Sequence, residues 1–178
     1  MRIGVDISQV VYSGTGVGEY TKRLIINLLK NDTENEYVLF FSSLRRKLPE
    51  DILKMQSRNV TIRRFFLPPT LLDMLWNRLG IFPIEWFVGE VDVFISSDWT
   101  QPSSRSAELV TVVHDLSPLK FPQEHHPKIV NVHKRRLEKV KKLCDMVISD
   151  SQATKQDLVK MLGVSESNVK VVYPGGKL

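Results

Sequence analysis

The chain has 178 residues, of which 42% are hydrophobic and 25% charged, so it is long enough for one globular domain with a substantial core. Its longest mostly apolar stretch, residues 70–89, contains charged residues and a proline, which excludes a transmembrane span there. The net charge of +5 allows contact with anionic ligands or a membrane surface, but no zinc spacing or helix-turn-helix pattern indicates nucleic acid. Because Cys144 is the only cysteine, no internal disulfide bond can form, which suits a cytoplasmic protein.

Short β-rich segments alternate along the chain with segments of helical periodicity. The strand-like segments are residues 3–7, 38–41, 60–65, 91–96, 109–113, 146–149 and 169–173. The predicted helices are residues 17–30, 50–56, 71–88, 127–143 and 155–162, and Pro83 is able to break the third of them. This alternation predicts an α/β fold with a doubly wound, mainly parallel, Rossmann-like sheet of about seven strands and ligands at the carboxyl ends of the strands.

The last predicted helix has clear signals at both ends. Thr154 is expected to be its N-cap, with Asp157 as the acidic partner three residues later. Gly163 is expected to end the helix, because glycine readily adopts the left-handed conformation found at that position.

A glycine-rich loop, residues 13–18, joins the first strand to the first helix. Gly14, Gly16 and Gly18 alternate in it, so backbone N–H groups are accessible where the helix begins. The start of a helix carries a partial positive charge and unpaired N–H donors, which together bind a phosphate or another anion. The loop therefore predicts a phosphorylated ligand, with a simple flexible turn as the alternative.

A nicotinamide dinucleotide fits this loop poorly. The Gly-x-Gly-x-x-Gly fingerprint needs a third glycine where this chain has Glu19. The second strand ends at Ser42 and Ser43, so the acidic residue that would bind the ribose is missing. An NAD-dependent oxidoreductase is the least favoured alternative.

Two polar pairs follow predicted strands at the edge where ligands are expected. His114 and Asp115 follow the fifth strand, and a histidine there can transfer a proton or donate a hydrogen bond to a sugar or phosphate. Asp115 is a candidate substrate-binding residue. Its carboxylate is also placed either to orient the histidine or to cap the next turn. Asp98 and Trp99 follow the fourth strand and either bind a sugar, by ring stacking and a hydroxyl acceptor, or pack beneath the next loop.

Two surfaces have both a structural and a functional interpretation. Residues 128–142 include seven basic side chains, which form either a solvated helix face or a surface for an anionic membrane or diphosphate. The aromatic segment, with Trp76, Phe82, Trp86 and Phe87, is predicted to be mainly core, with insertion at a membrane interface as the alternative.

The remaining histidines do not predict a metal site. His125, His126 and His133 have no carboxylate or cysteine at ligand spacing to complete a set. The chain also lacks a nucleophile-elbow motif, so neither a metal cofactor nor a hydrolase mechanism is expected.

Five motifs occur in order over nearly the whole chain: GTGVGEY (residues 14–20), VVHDLSP (112–118), SQATKQDL (151–158), GV (163–164) and VKVVYPGG (169–176). Each motif is weak alone, but their order and spacing together are specific. They resemble the N-terminal domain of family 4 glycosyltransferases, which are retaining nucleotide-sugar enzymes of GT-B architecture. The resemblance implies that residues 1–174 are the Rossmann-like, acceptor-side half of such an enzyme.

The resemblance also implies roles for residues at the matching positions. Gly16, Val17 and Gly18 would lie against the donor diphosphate and the acceptor. His114 would be the active-site histidine that contacts the donor sugar. Ser151 matches a serine that precedes a helix, where it either caps that helix or contacts a ligand.

In one respect the chain departs from the family pattern. Many members have a histidine just after the fourth strand, where this sequence reads Ser96-Ser97-Asp98-Trp99. The resemblance therefore does not imply a donor or acceptor contact at that point.

The family's second domain, which binds most of the nucleotide, has no counterpart in this sequence. Residues 175–178 are interpreted as the start of the interdomain hinge or as a cloning remnant. The complete enzyme is expected to be a hexosyltransferase of polysaccharide biosynthesis that uses no cofactor, takes a glycan or lipid-linked acceptor and contacts the inner membrane face peripherally. The isolated chain is expected to be inactive, and a non-catalytic sugar- or partner-binding module of the same fold is the main alternative.

Overall fold

A single parallel sheet organises the described part of the chain, residues 1–174 of the computed structural model. Its strands are β1 (Arg2–Asp6), β2 (Glu36–Ser42), β3 (Val60–Phe65), β4 (Val93–Ser96), β5 (Glu108–Val113), β6 (Met146–Ser149) and β7 (Val169–Val171). The strand order is β3-β2-β1-β4-β5-β6-β7, and every neighbouring pair is parallel. The winding reverses between β1 and β4, so the doubly wound Rossmann-like prediction is confirmed and ligands are expected at the carboxyl edge there.

The helices connect consecutive strands across the two faces of the sheet. They are α1 (Gly16–Asn31), α2 (Glu50–Leu53), α3 (Pro69–Leu72), α4 (Glu85–Val88), α5 (Ser117–Lys120), α6 (Pro127–Leu143) and α7 (Gln152–Leu162). A π-helical segment, Asp73–Leu79, continues α3, and short 3₁₀ turns cover Ser8–Val11, Pro122–Glu124 and Glu166–Asn168. None of the helices within residues 1–174 combines the length and the apolar character needed to cross a bilayer.

Alternate residues of β2 point into two different cores. Leu39 packs with Ile25 of α1 and Ile52 of α2, whereas Phe40 packs on the other face against Trp76 and Phe94. Both faces of β2 are therefore buried, which explains why its sequence is a continuous apolar run. A third core joins β5 and β6 to α6 and α7 and fixes the end of the sheet that carries the candidate site.

The helix predicted over residues 71–88 is not continuous, and the break predicted before Pro83 is present. The chain instead forms α3, the π-helical segment and the separate α4, with a turn between them. Gly80 and Phe82 in that turn have positive φ angles of 66° and 59°, which an α-helix does not allow. Of the aromatic side chains in the segment, Trp76 is buried in the core, whereas Trp86 is exposed.

The start of α7 also differs from the prediction. Ser151, not Thr154, is the N-cap, because Ser151 Oγ accepts a hydrogen bond from the backbone N–H of Thr154. Asp157 lies inside the helix and pairs with Lys120. The expected end of the helix is confirmed, since Gly163 has a φ of 65°. The hinge predicted for residues 175–178 lies outside the described residues.

Candidate functional site

The glycine-rich loop presents the start of α1 at the carboxyl edge of the sheet. Thr15 is the N-cap, and its Oγ1 accepts a hydrogen bond from the N–H of Gly18 at 3.1 Å. The N–H groups of Gly16 and Val17 belong to the first helical turn, where an α-helix offers no backbone acceptor. These donors and the positive end of a 16-residue helix favour an anionic ligand at this point.

The glycines of this loop serve different purposes. A Cβ on Gly16 would meet no protein atom within 4 Å, so protein packing does not require a glycine there. A Cβ on Gly18 would lie 2.4 Å from the carbonyl oxygen of Tyr12, so α1 can pack against the preceding turn only without a side chain at this position. Gly14 has a φ of 81°, which glycine adopts without strain.

His114 follows β5 and is held on two sides. Its Nδ1 lies 2.7 Å from Oδ2 of Asp150, and its backbone oxygen accepts a hydrogen bond from Thr154 Oγ1 at 3.0 Å. The Tyr20 ring of α1 packs edge-on against the imidazole, with 4.7 Å between the ring centroids. Because a carboxylate only accepts hydrogen bonds, Nδ1 carries the proton, and Nε2 remains for a ligand.

The partner of His114 is Asp150, which the sequence analysis missed. Asp150 follows β6, the strand beside β5, so the carboxyl ends of adjacent strands bring the two side chains together. Asp115 instead caps the next turn, where its Oδ1 accepts the N–H of Ser117 at 2.7 Å. Burial alone would raise the pKa of Asp115, but the hydrogen bonds from Ser117 and the nearby His133 and His114 lower it below its ordinary value.

These elements enclose a cleft of about 730 Å³. One wall is the first part of α1, and the facing wall is formed by the ends of β5, β6 and β7. The cleft is lined by Gly16, Val17, Glu19, Tyr20, Arg23, Leu24, Asn27, His114, Asp115, Asp150, Val172, Tyr173 and Pro174. His114 and Asp150 are 36 residues apart in the sequence. The structure brings this pair and the glycine-rich loop into one site.

Comparison with known proteins identifies the family. The glycosyltransferase family 4 profile matches residues 14–176, which is most of the chain. This chain belongs to glycosyltransferase family 4.

The solved structure of Anabaena Alr3699/HepE in complex with UDP shares the fold of this family 4 domain. Its TM-score is 0.53 at 14% sequence identity, and the match covers 98% of this chain. The same match covers 44% of the HepE chain, so the domain spans less than half of that protein. A search of curated proteins finds no significant match to the domain.

In this family 4 domain, Asp98 and Trp99 lie outside the cleft lining. Asp98 accepts a hydrogen bond at 3.0 Å from Arg136, whose fully buried guanidinium also donates to Thr111 and to the carbonyl of Val112. Trp99 packs edge-on against His133. Asp98 and Trp99 therefore make structural contacts inside the domain, which was one of the two interpretations of this pair. Their contact with substrate, the other interpretation, stays a prediction.

Two other predictions are resolved by neighbouring contacts. Arg136 is not part of a solvated basic face, because it is buried inside the domain. Ser151 has the capping interaction with α7, while a ligand contact for it remains untested. Within residues 1–174, no three His, Cys, Asp or Glu side chains cluster closely enough to hold a metal ion.

Asp6 is a buried carboxylate at the carboxyl edge of the sheet that the sequence motifs did not single out. It ends β1, and its Oδ1 accepts the N–H of Ser8 at 2.8 Å. Burial raises its pKa above the ordinary value of 3.8, and hydrogen bonds from Ser8 and Ser97 offset only part of that effect. The signal available in the sequence was an acid at the end of an otherwise apolar strand.

Replacing Asp6 by asparagine is expected to stabilise the domain, relative to the parent, more at neutral pH than at acid pH. The pKa of the Asp6 carboxyl is higher in the folded state than in the unfolded chain. Below its pKa in the unfolded chain, the carboxyl does not lower the free energy of unfolding, and its destabilising effect grows as the pH rises towards the pKa of the folded state. The asparagine amide carries no charge, so the difference in unfolding free energy between Asp6→Asn and the parent should favour the variant more at pH 7 than at about pH 4. Urea unfolding at both pH values measures this, and a pH-independent difference would contradict the burial argument.

Proposed function

We propose that this domain is the acceptor-side half of an enzyme that transfers a sugar from a nucleotide sugar to a glycan or lipid-linked acceptor. The observation that carries the proposal is the placement of His114, fixed by Asp150, across one cleft from the N-terminal N–H groups of α1. A histidine suits contact with the donor sugar, and a helix start suits the diphosphate beside it.

In this proposal a second domain supplies most of the nucleotide site. The domain spans 44% of the HepE chain, and HepE was solved with UDP, which is consistent with a nucleotide-sugar donor here. Closure of two domains over the cleft would exclude water and align the donor with the acceptor. Negative charge that develops on the leaving diphosphate would be stabilised by the Gly16 and Val17 N–H groups.

The finer features of the reaction are part of the same proposal. We infer a retaining hexosyltransferase that needs no cofactor or metal and works in polysaccharide biosynthesis in the cytoplasm. Candidate contacts for the substrates are Gly16, Val17, Gly18, Asp115 and Ser151, with Asp98 and Trp99 as candidates farther from the cleft.

A transfer assay with radiolabelled UDP- and GDP-sugars tests the proposal. The full-length protein is expected to label a glycan or lipid-linked acceptor, whereas the 178-residue chain alone is expected to give little or no transfer. Robust transfer by the 178-residue chain would contradict the two-domain division of the site. Sugar binding without any transfer by the full-length protein would favour a non-catalytic module instead.

A further inference from the structure

Tyr20 packs on the candidate histidine instead of joining a hydrophobic core. Its ring meets the imidazole of His114 edge-on, with ring centroids 4.7 Å apart and an interplanar angle of 79°. None of the three core clusters within residues 1–174 includes Tyr20, which lines the cleft and is only half-buried. Core packing therefore does not explain why an aromatic residue occupies this position.

The first helix places Tyr20 one turn beyond the glycine-rich loop. Residues four apart in an α-helix lie on the same face, so Tyr20 follows Gly16 along the side of α1 that lines the cleft. Its ring reaches His114, which follows β5 on the facing wall. Tyr20 therefore lies between the proposed diphosphate position at the helix start and the proposed sugar position at His114.

The hydroxyl group of Tyr20 has no partner within the part of the chain that the structure describes. No hydrogen bond joins it to another side chain or to the backbone there, and its oxygen is open to solvent. Burial raises the pKa of the Tyr20 phenol above its ordinary value of 10.0, and the negative charge of Asp150 adds to this effect. The phenol therefore stays protonated at neutral pH and offers an O–H donor to the cleft.

The two carboxylates that lie near Tyr20 at the strand ends are engaged elsewhere. Oδ2 of Asp150 lies 2.7 Å from Nδ1 of His114, and Oδ1 of Asp150 is buried without any hydrogen bond, so it does not accept one from Tyr20. Oδ1 of Asp115 accepts a backbone N–H of the next turn at 2.7 Å. A ligand in the cleft is therefore the partner that remains for the phenol O–H.

We propose that Tyr20 is a substrate-binding residue whose hydroxyl donates a hydrogen bond to the sugar–phosphate end of the donor bound beside His114. This inference rests on the proposed function, which supplies the chemical nature of the ligand. Phosphate oxygens are strong acceptors, and a hydrogen bond to a charged group is about twice as strong as one between neutral groups. When the bond between sugar and phosphate breaks, its electron pair stays on the phosphate oxygen, so this donor stabilises the transition state more than the ground state.

A purely structural role for Tyr20 would require only its ring. Phenylalanine has the same six-membered ring and would keep the edge-on contact with His114. The hydroxyl is thus the feature that distinguishes the two roles, and Tyr20→Phe removes that group alone.

An NMR titration of the 178-residue chain with glucose 1-phosphate tests the contact without requiring transfer. This probe carries a sugar–phosphate linkage, and its dissociation constant should rise about tenfold or more in Tyr20→Phe, because a hydrogen bond to a charged group is lost. The matched control is Tyr12→Phe, which removes a hydroxyl outside the cleft lining, keeps the ring beneath the Arg46 guanidinium and should leave the dissociation constant unchanged. Without the probe, the imidazole signals of His114 should be the same in Tyr20→Phe as in the parent.

Transfer by the full-length protein gives a second measure. Tyr20→Phe should lower kcat by about 10²-fold, as expected when a donor to developing charge is removed, whereas Tyr12→Phe should match the parent. An unchanged dissociation constant in Tyr20→Phe, displaced His114 signals in that variant without the probe, or no response of the Tyr20 signals in the parent would overturn this role of Tyr20. Weaker probe binding by the variant together with no transfer by the parent would instead overturn the proposed function and keep the contact.

Discussion

Replacing His114 by alanine is expected to lower the transfer rate of the full-length protein by about 10²- to 10⁴-fold, which is the loss typical of removing a positioned side chain that accepts a proton from the reacting group. The imidazole contributes Nε2 to the cleft, and no neighbouring side chain described in the structure duplicates that group. Stability should fall by about 1–3 kcal/mol, because the two side chains are only 15% and 20% exposed and removal of the imidazole leaves the Asp150 carboxylate without its hydrogen-bond partner. Steady-state kinetics and urea unfolding of the same preparation separate the two effects.

Two variants serve as controls for His114→Ala. Asp150→Asn keeps a hydrogen-bond acceptor near Nδ1 but removes the charge that fixes the tautomer, so its rate should lie between those of the parent and the alanine variant. His125→Ala changes a histidine outside the cleft lining and should leave the rate unchanged. A His114→Ala enzyme as fast as the parent would remove this histidine from the proposed mechanism.

Replacing Gly18 by alanine is expected to destabilise the domain by about 1–3 kcal/mol, the usual cost of forcing extra atoms into a packed site. The new Cβ would lie 2.4 Å from the carbonyl oxygen of Tyr12 and 3.0 Å from that of Gln9, and both neighbours are backbone atoms. The start of α1 would have to move away from the turn that precedes it. For a domain of this length, the midpoint of thermal unfolding should fall by about 2–4 °C for each kcal/mol.

Gly16→Ala is the matched control, because it adds the same methyl group two residues earlier. No protein atom lies within 4 Å of the added Cβ, and alanine favours the helical conformation more than glycine does, so stability should be unchanged or higher. Activity should nevertheless fall in the full-length protein, since the methyl group would occupy space beside the N–H donors. Equal stability of the two alanine variants would show that Gly18 is not required by packing.

Local patterns were sufficient to predict most of the sheet. The predicted strands at residues 60–65 and 146–149 coincide with β3 and β6, because β-branched and apolar runs there end in turn residues. In the helical region 71–88, Pro83 predicted the interruption, whereas the apolar periodicity, which continues across Gly80 and Phe82, did not predict where the turn begins. Both residues have positive φ angles, which hydrophobic periodicity does not report.

The candidate site could be predicted only where its residues follow a strand. His114 and the glycine-rich loop were found in this way, because the carboxyl ends of parallel strands meet at one edge. Asp150 was missed because its partner is 36 residues away and the order of β5 and β6 in the sheet decides the contact. Asp98 follows a strand as well, but its contact with Arg136 depends on how α6 packs on the sheet.

An NMR titration of the 178-residue chain with UDP-sugars, GDP-sugars and NAD would show whether the His114 cleft receives a nucleotide sugar. We expect weak binding in which nucleotide sugars shift the amide signals of Gly16 and Val17 and the imidazole signals of His114, while NAD shifts none of them. Tight NAD binding at the glycine-rich loop, or nucleotide-sugar shifts confined to residues outside the cleft, would contradict it.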